Sequence, residues 1–159
     1  MNPFKKLLGQ TAIYGLSSVV GRLLNYLLVP LYTRYFLPEE YAIVVELYAY
    51  VAFLVIILTY GIETAFFRFT NTTADIKSVY STALYSVITT SCIFIALTFV
   101  YSSSISNLLG SAILTEYIQW FAIIVAFDAI SSIPFARLRE RERALQFSLI
   151  KLINISTNI

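Results

Sequence analysis

The chain has 159 residues, 58% of them hydrophobic and only 13% charged, with 11 basic residues, 9 acidic residues and no histidine. Its mean hydropathy of +0.77 reflects more apolar surface than one small core can hide, which excludes an ordinary soluble domain. A net charge of +2, thinly spread, a single cysteine and no histidine leave no basis for a nucleic-acid partner, a disulfide framework, a histidine-dependent catalytic triad or a usual zinc site. No metal, cofactor or enzymatic activity is expected.

A transmembrane helix takes about 20 mostly apolar residues, and the chain supplies that length repeatedly. The first predicted span covers 10–36. It is too long for a signal-peptide core, and no A-x-A-like cleavage site follows, so it is expected to remain in the mature protein. Within it Thr11, Gly15, Ser18, Arg22 and Asn25 recur at alternating spacings of four and three, which puts them on one helical stripe. Gly15 and the Ser17/Gly21 pair permit close helix approach. Pro30 removes a backbone donor to the carbonyl of Tyr26, which predicts a bend.

The second span covers 41–67, after a connection that holds Glu39 and Glu40 but no basic residue. Arg68 and Lys77 follow it. The third span, 79–101, carries Ser81, Thr82, Ser86, Thr89, Thr90 and Ser91 but no charge, and reads as scaffold whose hydroxyls bond back to their own helix. Its Cys92 is expected to be a small buried apolar residue. The connection 102–112 again lacks Lys and Arg. The fourth span covers 113–135, and a fifth starts at 145 and still runs at 159, about 15 residues and short of a full crossing. The chain is therefore expected to stop inside a helix, as the first four to five spans of an all-α, polytopic membrane helical bundle.

Basic residues in short loops stay on the cytoplasmic side. Lys5, Lys6, Arg68, Lys77, Arg137, Arg139, Arg141 and Arg143, eight of the eleven, occupy the amino terminus and alternate connections, which predicts a cytoplasmic amino terminus. The sequon at Asn71-Thr72-Thr73 then lies inside and is discounted. Aromatic residues gather at the same boundaries: Tyr32, Tyr35, Phe36, Tyr41, Tyr101, Tyr117 and Trp120 outside, and Phe66, Phe67, Phe69, Tyr80, Phe135 and Phe147 inside.

The charges left within the spans are the candidate functional residues. Arg34, Glu46 and Glu116 lie near outer ends and reach water by snorkelling. Arg22 lies at a depth of about 18 Å, close to the midplane of a hydrocarbon layer about 30 Å thick. Glu63, Asp128 and Lys151 share the cytoplasmic half. Pairing of Arg22 with Asp128 or Glu63 and contact of Arg22 with a ligand both remain open, and the two roles coexist. The run Arg137, Arg139, Arg141 and Arg143, interleaved with Glu140 and Glu142, reads as a topogenic loop or as a contact for anionic headgroups.

The stretch from Gly15 through Arg22, Asn25 and Pro30 to Phe36, the turn Leu37-Pro38-Glu39-Glu40-Tyr41, the segment Tyr60-Gly61-Ile62-Glu63-Thr64-Ala65-Phe66-Phe67-Arg68, and Leu138-Arg139 to Arg143-Ala144 with Phe147 resemble bacterial polysaccharide flippases. These are the O-antigen and capsule repeat-unit exporters of the multidrug/oligosaccharidyl-lipid/polysaccharide superfamily. The resemblance implies a two-lobe transporter of six helices per lobe that moves an undecaprenyl-diphosphate-linked oligosaccharide across the bacterial inner membrane by alternating access. Residues 1–159 would then form the amino-terminal part of the first lobe, with no second lobe present. It implies membrane lipids and other polysaccharide-assembly proteins as partners.

An arginine of the first helix is thought to meet the diphosphate in cationic-cavity members, and Arg22 is the matching position, with Asn25 and Ser18 on the same stripe as hydrogen-bonding partners. The alternatives are a cation-coupled multidrug exporter of the same superfamily, using Asp128 or Glu63, and a small noncatalytic membrane partner if the chain ends at Ile159. A membrane-embedded enzyme would need a catalytic constellation that neither 37–41 nor 102–112 supplies.

Overall fold

The structure, a computed structural model, describes residues 26–73, 75–109 and 115–158 together with Gly15, Val19, Val20 and Leu23. Among the described residues all regular structure is helical: α1 over 26–35, α2 over Pro38–Thr59, α3 over Ile62–Thr72, α4 over Ile76–Leu109, α5 over Thr115–Glu140 and α6 over Ala144–Asn158. The fold class is thus the expected all-α bundle. The chain divides into a unit of residues 39–136 and a unit of residues 1–38 with 137–159.

In the larger unit, α2 opens with Pro38 at its first position and Glu39 and Glu40 in its first turn. Proline loses nothing there, because the first N–H groups have no intrahelical partner, and the carboxylates complement the positive end of the helix. The helix is apolar on every side, which suits hydrocarbon better than water. It stops sooner than the predicted 41–67 span. Tyr60 at φ 33° and Gly61 at φ 72° both adopt left-handed backbone, which no right-handed helix accommodates. The chain restarts as α3, where Gly61 O accepts from Thr64 N at 3.0 Å and Ala65 N at 3.2 Å.

The short helix α3 is amphipathic. Phe66 is 1% exposed while Thr64, Arg68 and Asn71 face outward. Its ring meets Phe67 and Tyr80 edge to face, at 5.8 and 6.4 Å. Phe66 is therefore a core residue of the bundle and not the interfacial anchor expected from its position near a span end.

α4 begins with Asp75 Oδ1 accepting from Ser78 N at 3.2 Å, a side-chain cap on otherwise unpaired donors. It runs 34 residues, about 51 Å at 1.5 Å each. Residues 102–109 of the expected outer connection are thus helical, and Ser102 returns its hydroxyl to Phe99 O at 2.9 Å. Serine tolerates the helix by such back-bonding. Cys92 is exposed and not buried: it falls on the opposite side of α4 from Val87, which is fully enclosed.

α5 contributes a face of Ala122, Ala126, Ala129, Ile133 and Ala136, all at most 3% exposed. Of α5, Val125, Ala129, Ile133 and Ala136 join Val51 and Leu58 of α2, Phe66 of α3 and Ala83 and Val87 of α4 in one core cluster. Lipid tails are as apolar as these residues, so close packing and not water exclusion holds such helices together. A second cluster, Leu47 with Ile118, lies nearer the amino-terminal ends of α2 and α5. Large apolar groups such as Phe53, Ile56 and Phe127 remain 64–70% exposed, as a bilayer-facing surface requires.

In the smaller unit, α1 continues through Pro30, and Thr33 Oγ1 donates to Val29 O at 3.1 Å. The carboxyl end of α5 closes on Glu142 at φ 55°. Arg143 N donates to Leu138 O and Glu142 N to Arg139 O, both at 3.0 Å, the paired bonds of a Schellman termination. Phe147 N then donates to Arg143 O at 3.1 Å and starts α6.

Candidate functional site

The polar face of α4 carries a concave feature. Ser78, Ser81, Thr82, Tyr85, Ser86, Thr89 and Thr90 line an open groove of about 590 Å³. Their spacings of three and four stack them on one side of the helix. Thr89 Oγ1 donates to Tyr85 O at 2.8 Å, and Thr90 Oγ1 to Ser86 O at 3.1 Å. Donating inward satisfies the hydroxyl proton and leaves oxygen lone pairs for an outside donor. Tyr60, at the break between α2 and α3, hydrogen-bonds Ser86 Oγ, and thus joins the break to the groove wall. Tyr85 is 68% exposed and offers both a ring face and a hydroxyl.

Chemically, the groove is a run of neutral donors and acceptors in an otherwise apolar helix. It suits a polyhydroxylated ligand better than a charged one. The scaffold reading of the third span missed it, although Ser78, Thr82, Tyr85 and Thr89 follow the alternating spacing of four and three used to find the stripe of the first span.

Arg22, Asn25 and Ser18, the residues expected to bind substrate, lie outside the described residues, as does the proposed pairing of Arg22. Glu63 is half-buried in the first turn of α3, where a carboxylate complements the helix N-terminus. Asp128 is exposed on α5 beside buried Ala129. Arg137 and Arg139 belong to the last turn of α5 and are half-buried, a favourable place for cations at the negative helix end. Arg141 and Arg143 are exposed in the turn, and Arg143 Nη1 donates to Gln146 Oε1 at 3.1 Å. Lys151 is half-buried on α6, its Nζ 5.4 Å from the centroid of the Phe147 ring, over which Arg139 also sits at 5.8 Å. Phe147, 7% exposed, is a buried platform and not the interfacial ring expected.

A family model described as polysaccharide biosynthesis protein matches residues 31–159. The chain belongs to this family. No curated protein and no solved structure matches it. Among the described residues, three stretches, Pro38–Thr72, Ile76–Leu109 and Thr115–Glu140, are long and apolar enough to cross a membrane. The protein is thus a multi-pass membrane protein with a role in polysaccharide biosynthesis.

Proposed function

We propose that this protein is a flippase, and that it moves an undecaprenyl-diphosphate-linked oligosaccharide repeat unit from the inner to the outer leaflet of the bacterial cytoplasmic membrane. The observation that carries the reading is the hydroxyl-lined groove on α4 in a chain of a polysaccharide biosynthesis family. Sugar hydroxyls buried in hydrocarbon cost several kcal/mol each without partners, so their passage requires a polar wall. The groove supplies one of suitable chemistry.

In this reading the amino terminus is cytoplasmic, and the groove begins at the inner end of α4, where the cargo loads. Arg22 pairs with the diphosphate, since a guanidinium cannot be discharged and matches phosphate oxygens in a fork. Asn25 and Ser18 hydrogen-bond the same cargo. The protein is a transporter and not an enzyme, uses no cofactor, and works beside other polysaccharide-assembly proteins. A cation-coupled drug exporter would instead rest on Asp128 and Glu63, but the family match supports a saccharide cargo.

The test is complementation of a strain lacking the gene with the complete gene product, reading surface polysaccharide and the lipid-linked intermediate. Arg22→Ala is expected to insert normally yet abolish export and accumulate the intermediate on the inner face. Normal export by this variant contradicts the role of Arg22. Undiminished surface polysaccharide in the deletion strain itself contradicts the flippase reading.

A further inference from the structure

We infer that Tyr60 is a latch: its hydrogen bond to Ser86 holds the α2–α3 break in left-handed form, and a saccharide lying in the α4 groove releases it by taking Ser86. The release rests on the saccharide reading of that groove. Tyr60 at φ 33° and Gly61 at φ 72° lie between two anchored helices, since Leu58 of α2 and Phe66 of α3 belong to one core cluster. A left-handed tyrosine is disfavoured by its own Cβ and persists only where surrounding contacts impose it. Crowding at the break does not impose it. Gly61 is exposed, with nothing within 4 Å of an added Cβ, and Tyr60 itself is 47% exposed. The contact that reaches Tyr60 from another element is the bond between its hydroxyl and Ser86 Oγ on α4.

Ser86 belongs to the groove as well. Thr89 and Thr90 return their hydroxyl protons to carbonyls of α4, whereas the Ser86 hydroxyl bonds Tyr60 while lining the cavity. A sugar hydroxyl and a phenol are equivalent partners for it. Swapping one for the other conserves the number of hydrogen bonds and frees Tyr60 to leave the left-handed region, so an occupied groove favours an open break. A ligand shifts a conformational equilibrium only through contacts that differ between the two states. Ser86 Oγ is such a contact, held by Tyr60 in the latched state and open to the ligand in the other. By linkage, weakening the latch strengthens binding. Loading of the groove is thereby passed to the inner end of α2.

The experiment is hydrogen–deuterium exchange of the full chain in phosphatidylcholine nanodiscs, read on the amides of Thr64 and Ala65, which donate to Gly61 O. Without ligand, Tyr60→Phe and Ser86→Ala are each expected to speed exchange about five-fold, the worth of one net hydrogen bond. The double variant is expected to go no further, because both changes remove the same bond. Undecaprenyl-diphosphate-linked N-acetylglucosamine is expected to speed exchange in wild type, and sugar-free undecaprenyl diphosphate is not. Tyr60→Phe is expected to bind the sugar-bearing lipid about five-fold more tightly, the latch equilibrium being worth that one bond. Ser86→Ala loses the ligand contact together with the latch and is expected to gain nothing.

Tyr85→Phe removes a groove hydroxyl outside the latch and is expected to leave exchange at the break unchanged. Tyr60→Phe keeps the ring and carries the test if Ser86→Ala does not fold. Additive effects in the double variant, faster exchange in Tyr60→Phe without tighter binding, or the same rise in Tyr85→Phe overturns the latch. Preferential binding of the sugar-bearing lipid with exchange at the break unchanged overturns its release by cargo. Equal binding of the two lipids overturns the saccharide reading of the groove, and the release with it, while the ligand-free comparison still judges the latch.

Discussion

Ser91 Oγ is enclosed in the bundle with no hydrogen-bond partner, although a helical serine ordinarily returns its hydroxyl to its own backbone. A buried hydroxyl without a partner costs roughly 1–3 kcal/mol. Ser91→Ala is therefore expected to raise the unfolding temperature in detergent, by about 1 kcal/mol of stability or more, and a lowered midpoint contradicts this account. Gly61 presents the opposite case. An added Cβ would meet nothing within 4 Å, but φ is +72°. Gly61→Ala is expected to cost about 1–2 kcal/mol through backbone strain alone, measured by the same melt. Neither residue was separable by sequence from its neighbours: Ser91 is one of many hydroxyls in its span, and a glycine in an apolar run reads as tolerated until its φ is known. Arg22 is different, since a charge inside a long apolar run is conspicuous from the sequence itself.

At the level of elements, span length and polarity located the helices but not their interruptions. The run 41–67 is apolar enough to cross, and hydropathy has no term for the two left-handed residues, Tyr60 and Gly61, that divide it. In the other direction, 102–109 is polar enough to suggest a connection yet remains helical. The faces were less legible than the ends, because an apolar helix in lipid does not advertise which side packs. On α5 the packed side is the alanine stripe. Ala129 has no exposed surface, so Ala129→Leu is expected to overpack the core and cost at least about 1–3 kcal/mol. Phe127→Leu on the exposed side of the same helix is expected to be nearly neutral. Thermal melts of the two variants side by side decide the assignment, and equal midpoints refute it.

For the molecule as a whole, the alternation of basic and non-basic connections sets the expected orientation. In a Cys92→Ala background, Thr72→Cys is expected to react with a membrane-impermeant maleimide only from the cytoplasmic side, and Ser104→Cys only from outside. The reverse pattern refutes a cytoplasmic amino terminus. Composition alone determined that this chain is a helical membrane protein: in hydrocarbon every backbone donor and acceptor must be satisfied within its own segment, so long apolar runs have no other solution. Tertiary structure decided what no one-dimensional pattern encodes. It placed Phe66 and Phe147 in packed interiors and left Cys92 facing outward. It also drew Arg139 and Lys151, twelve positions apart, onto one ring. Hydropathy records whether a side chain prefers oil or water, and in a bilayer packed and lipid-facing positions are both oil, so only contact between helices tells them apart.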